Sequence, residues 1–211
     1  MPRSSKQFDD IRKQKKRLIM DTALELFAEY GFHATSISQI AQKAQISKGL
    51  TYNYFESKKE ILDEIVKKGF DSIYSNFDLN LDGVLSKEEF IHFIKTSFNE
   101  MRMNPKFWKL YFSLMFQPKV TESFQHDYKE SSKKIFNIFL QFLKNMGSKQ
   151  PESDILSISS MLKGAYITGI AAPEFFPPEK LDNIIIDACF KIINNQTSKV
   201  TEYEGKTERN E

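Results

Sequence analysis

Residues 35–62 leave little freedom in how this chain can fold. Ile37, Ile40, Ala41 and Ala44 recur at the spacing of one apolar stripe on a helix of about two turns. Thr35 and Ser36 stand ahead of the stripe, where hydroxyls cap the free N–H groups of a first turn. Gln45-Ile46-Ser47 then breaks the period, and Ser47 is placed to cap a second short helix through Lys48, Gly49, Leu50, Thr51, Tyr52, Asn53 and Tyr54. On this reading Ile46, Leu50 and Tyr54 or Phe55 hold the second helix to the domain, while Ser47, Lys48, Gly49, Thr51, Tyr52 and Asn53 point outward. Such an outer face, made of hydroxyls, an amide and one cation, suits a DNA major groove. Small polar groups there reach base edges and phosphates, and Gly49 lets the backbone come close. The plainer alternative is three small core helices with no nucleic-acid role.

Thr35-Ser36, Ile40-Ala41, Ile46-Ser47-Lys48-Gly49, Tyr52, Tyr54-Phe55, Ser57-Lys58 and Glu60 follow one another without gaps. In that order they resemble the DNA-binding signature of tetracycline-repressor (TetR) type transcriptional regulators. The resemblance covers about the first 65 residues. Gln45 departs from it, standing where the family usually has glycine, and it needs a left-handed backbone at modest cost. The resemblance implies an all-α protein: an N-terminal three-helix helix-turn-helix domain (1–57, with 1–8 a flexible arm) and a C-terminal helical effector-binding and dimerisation domain (58–196). Residues 197–211 read as a polar tail. It further implies that Thr35, Ser36, Tyr54 and Lys58 anchor the DNA backbone while residues 47–53 read sequence. The helix that Lys58 begins is then the one that carries signals between the two parts.

Charge agrees with this division. The 211 residues carry a net charge of only +2, but residues 1–60 hold +4 and the remainder −2. A basic end on a near-neutral body fits contact with a polyanion at one end. Arg12, Lys13, Lys15, Lys16 and Arg17 sit early on a helix expected from Asp9 or Asp10 to Tyr30, where together they raise affinity without sequence preference. The single Cys189 forms no intrachain disulfide and fits a reducing cytosol. Without a membrane-length apolar run or a signal peptide, the expected location is cytoplasmic.

Beyond residue 86 the apolar period is helical throughout, and breakers divide it into helices expected at 86–103, 105–117, 119–146, 152–171 and 179–195. The last two are candidates for a homodimer interface, through Ile155, Ile158, Leu162, Ala165 and Tyr166 and through Leu181, Ile184, Ile185, Ala188 and Ile192. Period alone leaves open that these stripes serve only the internal core. Trp108, Tyr111, Phe112, Met115, Phe116, Phe139, Met161 and Tyr166 are candidates to line a pocket for an apolar small-molecule effector, although burial in the core is the default for such stripes.

One segment lies outside this reading. Asp78, Asn80, Asp82, Gly83, Ser86 and Glu89 fall at positions 1, 3, 5, 6, 9 and 12 of an EF-hand calcium loop, with the Val84 carbonyl as a further ligand. The same residues also make an ordinary inter-helix turn with a capped helix. No cofactor is required by the regulator reading, and calcium is the one candidate. His33, His92 and His126 fall in separate segments away from Cys189, and no phosphate loop or nucleophile elbow occurs. An enzyme is not expected. A ligand-released repressor of a palindromic DNA operator is the leading reading, and a calcium sensor is the other.

Overall fold

The computed structural model describes residues 5–175 and 178–194. Ten helices follow one another: α1 (Ser5–Tyr30), α2 (Ile37–Lys43), α3 (Lys48–Tyr52), α4 (Lys58–Tyr74), α5 (Lys87–Met103), α6 (Pro105–Met115), α7 (Pro118–Asp127), α8 (Lys129–Asn145), α9 (Pro151–Ala171) and α10 (Pro178–Asn194). There is no strand among the described residues. The start of the expected arm (1–4) and the tail (197–211) lie outside them, as do residue 195, the end of the last expected helix, and residue 196, the end of the expected C-terminal domain.

Serine sets the first boundaries. Ser36, Ser47, Ser57 and Ser86 each accept a hydrogen bond from the third residue of the helix that follows. Each cap stabilises its helix by about 1 kcal/mol. Pro105, Pro118 and Pro151 occupy first-turn positions, where the missing N–H costs nothing. Two expectations need correction. Residues 5–8 of the arm are already helical, since nothing between Ser5 and Asp9 breaks α1. The helix expected over 119–146 is two helices, parted at Tyr128. Its ring stacks on Phe124 at 4.9 Å and lies 4.7 Å from Phe70, so an aromatic cluster supplies a bend that no proline or glycine announces.

The core runs unbroken through both parts of the chain. Ile19, Ala23 and Phe27 of α1, Ile40 of α2, Phe55, and Ile61 and Ile65 of α4 are buried together with the aromatic interior of the body. α1 packs on α2, α4 and α6, so the N-terminal helices are set directly on the body. No helix of the described residues is long and apolar enough to cross a membrane.

α4 approaches the body closely at Gly69. A Cβ there would stand 2.2 Å from Cε2 of Tyr111. That ring is buried, and its hydroxyl donates to the Val66 carbonyl at 3.3 Å. Gly69→Ala therefore forces Tyr111 out of place and is expected to lower stability by about 1–3 kcal/mol, read as a drop in the thermal midpoint.

Candidate nucleic-acid interface

α3 is only five residues long, so its position rests on its ends and neighbours. Gln45 takes the left-handed conformation expected of it, with φ 55°. This turns the chain sharply enough for the Ile46 N–H to donate to the Ala41 carbonyl at 3.0 Å. Ser47 Oγ accepts from the Leu50 N–H at 3.0 Å. Phe55 is buried behind α3, and Tyr54 is half-buried under the Arg12 guanidinium, 5.9 Å from the ring centroid. Lys48, Gly49, Tyr52 and Asn53 are left on the surface, Tyr52 at 48% exposure. Nothing lies within 4 Å of where a Gly49 side chain would start, so that stretch of backbone is open to approach.

Three of the expected contact residues face inward instead. Thr51 is fully buried, on the side of α3 turned to the core, because residue 51 lies four residues before the buried Phe55. Its hydroxyl reaches back to the Ser47 carbonyl at 3.4 Å. Thr35 is buried as well, donating to the carbonyls of Gly31 at 2.9 Å and Leu26 at 3.3 Å. It closes the corner between α1 and α2, and Ser36 alone caps α2. Lys58 Nζ donates to the carbonyls of Phe32, His33 and Thr35 at 2.7, 3.1 and 2.6 Å. It also lies 4.6 Å from the Phe32 ring centroid. All three of its donors are engaged inside the protein, and desolvation holds its pKa below the usual lysine range.

Burial of Thr51 has a direct consequence. Thr51→Val keeps the shape and loses only a long, weak hydrogen bond, so the fold and the preferred DNA sequence are both expected to persist. A changed sequence preference in a bound-duplex selection would contradict this placement.

Two side chains matter here that sequence reading passed over. Gln39 completes a capping box with Ser36, accepting from the Ser36 N–H at 2.7 Å; the Ser-x-x-Gln spacing carried that signal. Gln117, between α6 and α7, reaches across to the α1–α2 corner. It donates to the Phe27 carbonyl at 2.7 Å and accepts from the Phe32 N–H at 3.1 Å. No local pattern marks such a contact, because its two sides are 85 and 90 residues apart. Lys106 of α6 adds an ion pair to Glu25 of α1, which Lys43 of α2 joins at 3.1 Å. Those two lysines, Lys106 foremost, hold the Glu25 carboxyl below the usual range.

The candidate effector residues do not converge on one cavity. Trp108 is fully buried, its indole N–H on the Glu100 carbonyl at 3.2 Å, and borders a cleft of about 580 Å³ between α1, α4 and α6. Lys13, Lys16, Arg17, Lys68 and Lys106 share its lining with Met20, Leu24, Phe107 and Leu110, so the cleft is apolar with a strongly cationic rim. Tyr111 is buried, and Phe112 packs beside it with ring centroids 6.0 Å apart. Phe139 stacks among Phe77, Phe90 and Phe142. Met115 and Met161 are half-buried against the core, and Phe116 points to solvent. Tyr166 alone lines a small apolar cavity, of about 300 Å³, with Phe98, Met101, Ala165, Gly169 and Leu181. Its hydroxyl, buried and therefore held above the usual phenol range, is paired with Ser97 Oγ at 2.7 Å.

The dimer stripes also need correction. Ile155, Ile158, Leu162 and Tyr166 of α9 are buried within the chain, as are Leu181 and Ile185 of α10, because these two helices pack on each other and on α5. Ala165, Ala188 and Ile192 are half-buried, and Ile184 alone of the named residues stands well out. The outward side of α9 carries Leu156, Ser160, Gly164 and Ile167, at spacings of three and four.

In the loop between α4 and α5, Asp78 Oδ2 accepts from Gly83 N–H at 3.0 Å and Asp82 Oδ1 from Val84 N–H at 2.7 Å. Asn80 Oδ1 accepts from Asp82 N–H at 3.1 Å. Glu89 closes a capping box on Ser86, whose N–H and Oγ both donate to it at 2.8 Å. Ser86, Val84, Asn80 and Asp82 are exposed, and Asp78 is buried.

Residues 19–65 match the family described as bacterial regulatory proteins, tetR family. Over 63 residues the chain is 41% identical to the uncharacterized HTH-type transcriptional regulator YuxN of Bacillus subtilis, covering 30% of this chain and 22% of that protein. The chain aligns with less than half the length of the curated relatives it matches, and one of these, from Rhodococcus jostii, is named as a transcriptional repressor. The fold is shared along almost the whole chain. A TetR-like transcriptional regulator from Rhodococcus sp. RHA1 superposes with a TM-score of 0.64 at 19% identity, covering 90% of this chain and 97% of that one. SmeT in its complex with triclosan superposes with a TM-score of 0.62 at 16% identity, covering 84% and 90%.

Proposed function

We propose that this chain, whose residues 19–65 match the family of bacterial regulatory proteins, tetR family, is a sequence-specific DNA-binding repressor acting as a homodimer, and not an enzyme. Residues 1–57 form the reading head and residues 58–196 the sensing and dimerising body. The observation that carries the reading is the face of α3: Lys48, Gly49, Tyr52 and Asn53 exposed together on a helix held rigidly by Ser47, Ile46 and Phe55. Tyr52 and Asn53 supply hydrogen-bonding groups and apolar edge for bases. Lys48 supplies charge for phosphate or guanine, and Ser36 with Gln39 lies close by at the start of α2. Two such heads in a dimer read half-sites of a near-palindrome, one helical turn or a multiple of one apart.

The dimer forms through the outward sides of α9 and α10, where Leu156, Ile167 and Ile184 are 69%, 41% and 59% exposed. Ser160 and Gly164 between them allow close helix approach. The effector is a small, mainly apolar molecule in the cavity beside Tyr166, where Arg102 is the charged lining residue. A ligand of that kind, triclosan, is bound by SmeT, whose fold this chain shares. It releases DNA only by the difference in its affinity for the DNA-fitting and non-fitting conformations. On this reading the protein works in the cytoplasm.

Selection of bound duplexes from a random DNA pool tests the proposal. Enrichment of a two-fold symmetric sequence, lost with Tyr52→Ala, is the expected result. A pool that stays random at low salt would sink it.

A further inference from the structure

We propose that the α4–α5 loop is a calcium site, with Asp78, Asn80, Asp82, the Val84 carbonyl and Glu89 as ligands and Ser86 holding a ligand water. Two independent observations carry this. The first is the twelve-residue spacing of oxygen-bearing side chains, with Gly83 at the sixth position in the left-handed backbone, φ 79°, that the sharp turn needs. The second is Asp78 itself. Its residue exposure is 8%, and one carboxylate oxygen, Oδ2, is drawn into the loop by the Gly83 N–H. The other, Oδ1, is buried with no hydrogen-bond partner, the sole such side-chain atom among the described residues. A buried carboxylate oxygen facing no donor is costly, and a bound cation is the partner that removes the cost.

The ligand set selects among cations. It is all oxygen, with no sulfur or imidazole, which excludes zinc and copper preferences. With Glu89 bidentate it reaches the seven oxygens that calcium accepts, more than the strict octahedron of magnesium. No three Asp, Glu, His or Cys side chains are gathered for a metal among the described residues, so binding must close the site. Two parts move: the Glu89 carboxylate leaves the Ser86 and Leu79 N–H groups and turns onto the ion, and the bond from Asn80 Nδ2 to Asp82 Oδ2, 2.9 Å, opens. Ser86 Oγ keeps its own bond from the Glu89 N–H, 3.1 Å, so α5 stays capped. The loop joins α4, which packs on α1, to α5, which packs on α9 and α10, so the ion fixes the angle between them. The site does not depend on the DNA-binding reading.

Calorimetric titration of the chelator-stripped full chain with calcium chloride, and separately with magnesium chloride, is the test. Expected are one calcium per chain with a Kd between about 10⁻⁵ and 10⁻³ M, and clearly weaker magnesium binding. Glu89→Gln preserves the capping box, because glutamine serves at that position, yet removes the bidentate carboxylate; it should weaken calcium at least about tenfold at an unchanged thermal midpoint. Should that variant misfold, Asp82→Asn, on the exposed side of the loop, gives the same reading. No calcium uptake at about 10⁻³ M, equal affinity for magnesium, or calcium binding indifferent to the substitution would each overturn the site.

Discussion

Ile167→Glu combined with Ile184→Glu is expected to convert the protein from dimers to monomers and to lower operator affinity about 100-fold or more. Both residues stand on the outer sides of the two helices whose inner sides are consumed by the chain's own core. Neither replacement therefore opens a cavity, and the thermal midpoint of the monomer should change little. In a two-fold interface each substitution enters twice, so four carboxylates are brought together where apolar groups met. The loss of DNA affinity follows from linkage: one head binding alone no longer gains the high effective concentration of the second. Light scattering after size exclusion gives the mass, and titration of a fluorescent duplex gives the affinity. An intact dimer would place the interface elsewhere. A monomer that still binds DNA with full affinity would remove dimerisation from the mechanism.

Lys58→Met should cost about 3 kcal/mol of stability and leave the salt dependence of DNA binding unchanged. Its ammonium is shared among three carbonyls at the corner after α1. Hydrogen bonds from a charged donor are the stronger kind, about 1.5–3 kcal/mol each, and the partial exposure of this one tempers the total. Methionine keeps the apolar stem over Phe32 and removes only the charge and donors. The thermal midpoint should fall by about 6–12 °C for a chain of this size. A phosphate-binding lysine behaves differently, since each phosphate contact contributes close to one unit to the slope of log affinity against log salt. Lys48→Ala should reduce that slope by about one. If Lys58→Met does the same at unchanged stability, its place is on the DNA and not under the corner.

The reading head was legible because its signals are local. The capping serines, the stripe at Ile37, Ile40 and Ala41, and the turn at Gln45 act within four residues of themselves. The same locality explains the misreadings. Thr51 looks polar in the sequence, but a five-residue helix has few sides, and the one carrying residue 51 is needed to seat it. Lys58 begins a helix, where an anion is the natural partner; its actual partners are carbonyls 23 to 26 residues earlier. In the body, periodicity showed which residues are buried but not against what. Ile158 and Leu162 fill the inside of the chain, and only burial separates them from Leu156 and Ile167 on the opposite side of the same helix. The bend at Tyr128 was invisible because Phe70, a distant residue, helps to make it.

Gln117 grips the corner from the body side while Lys58 grips it from α4, leaving that short stretch pinned at both flanks. A corner so clamped cannot act as a free hinge. Any displacement of α6 is passed to Phe27 and Phe32 through this amide and to α1 through the Lys106–Glu25 ion pair. On the proposed function, Gln117 is thus one mechanical tie between the sensing body and the DNA-binding helices.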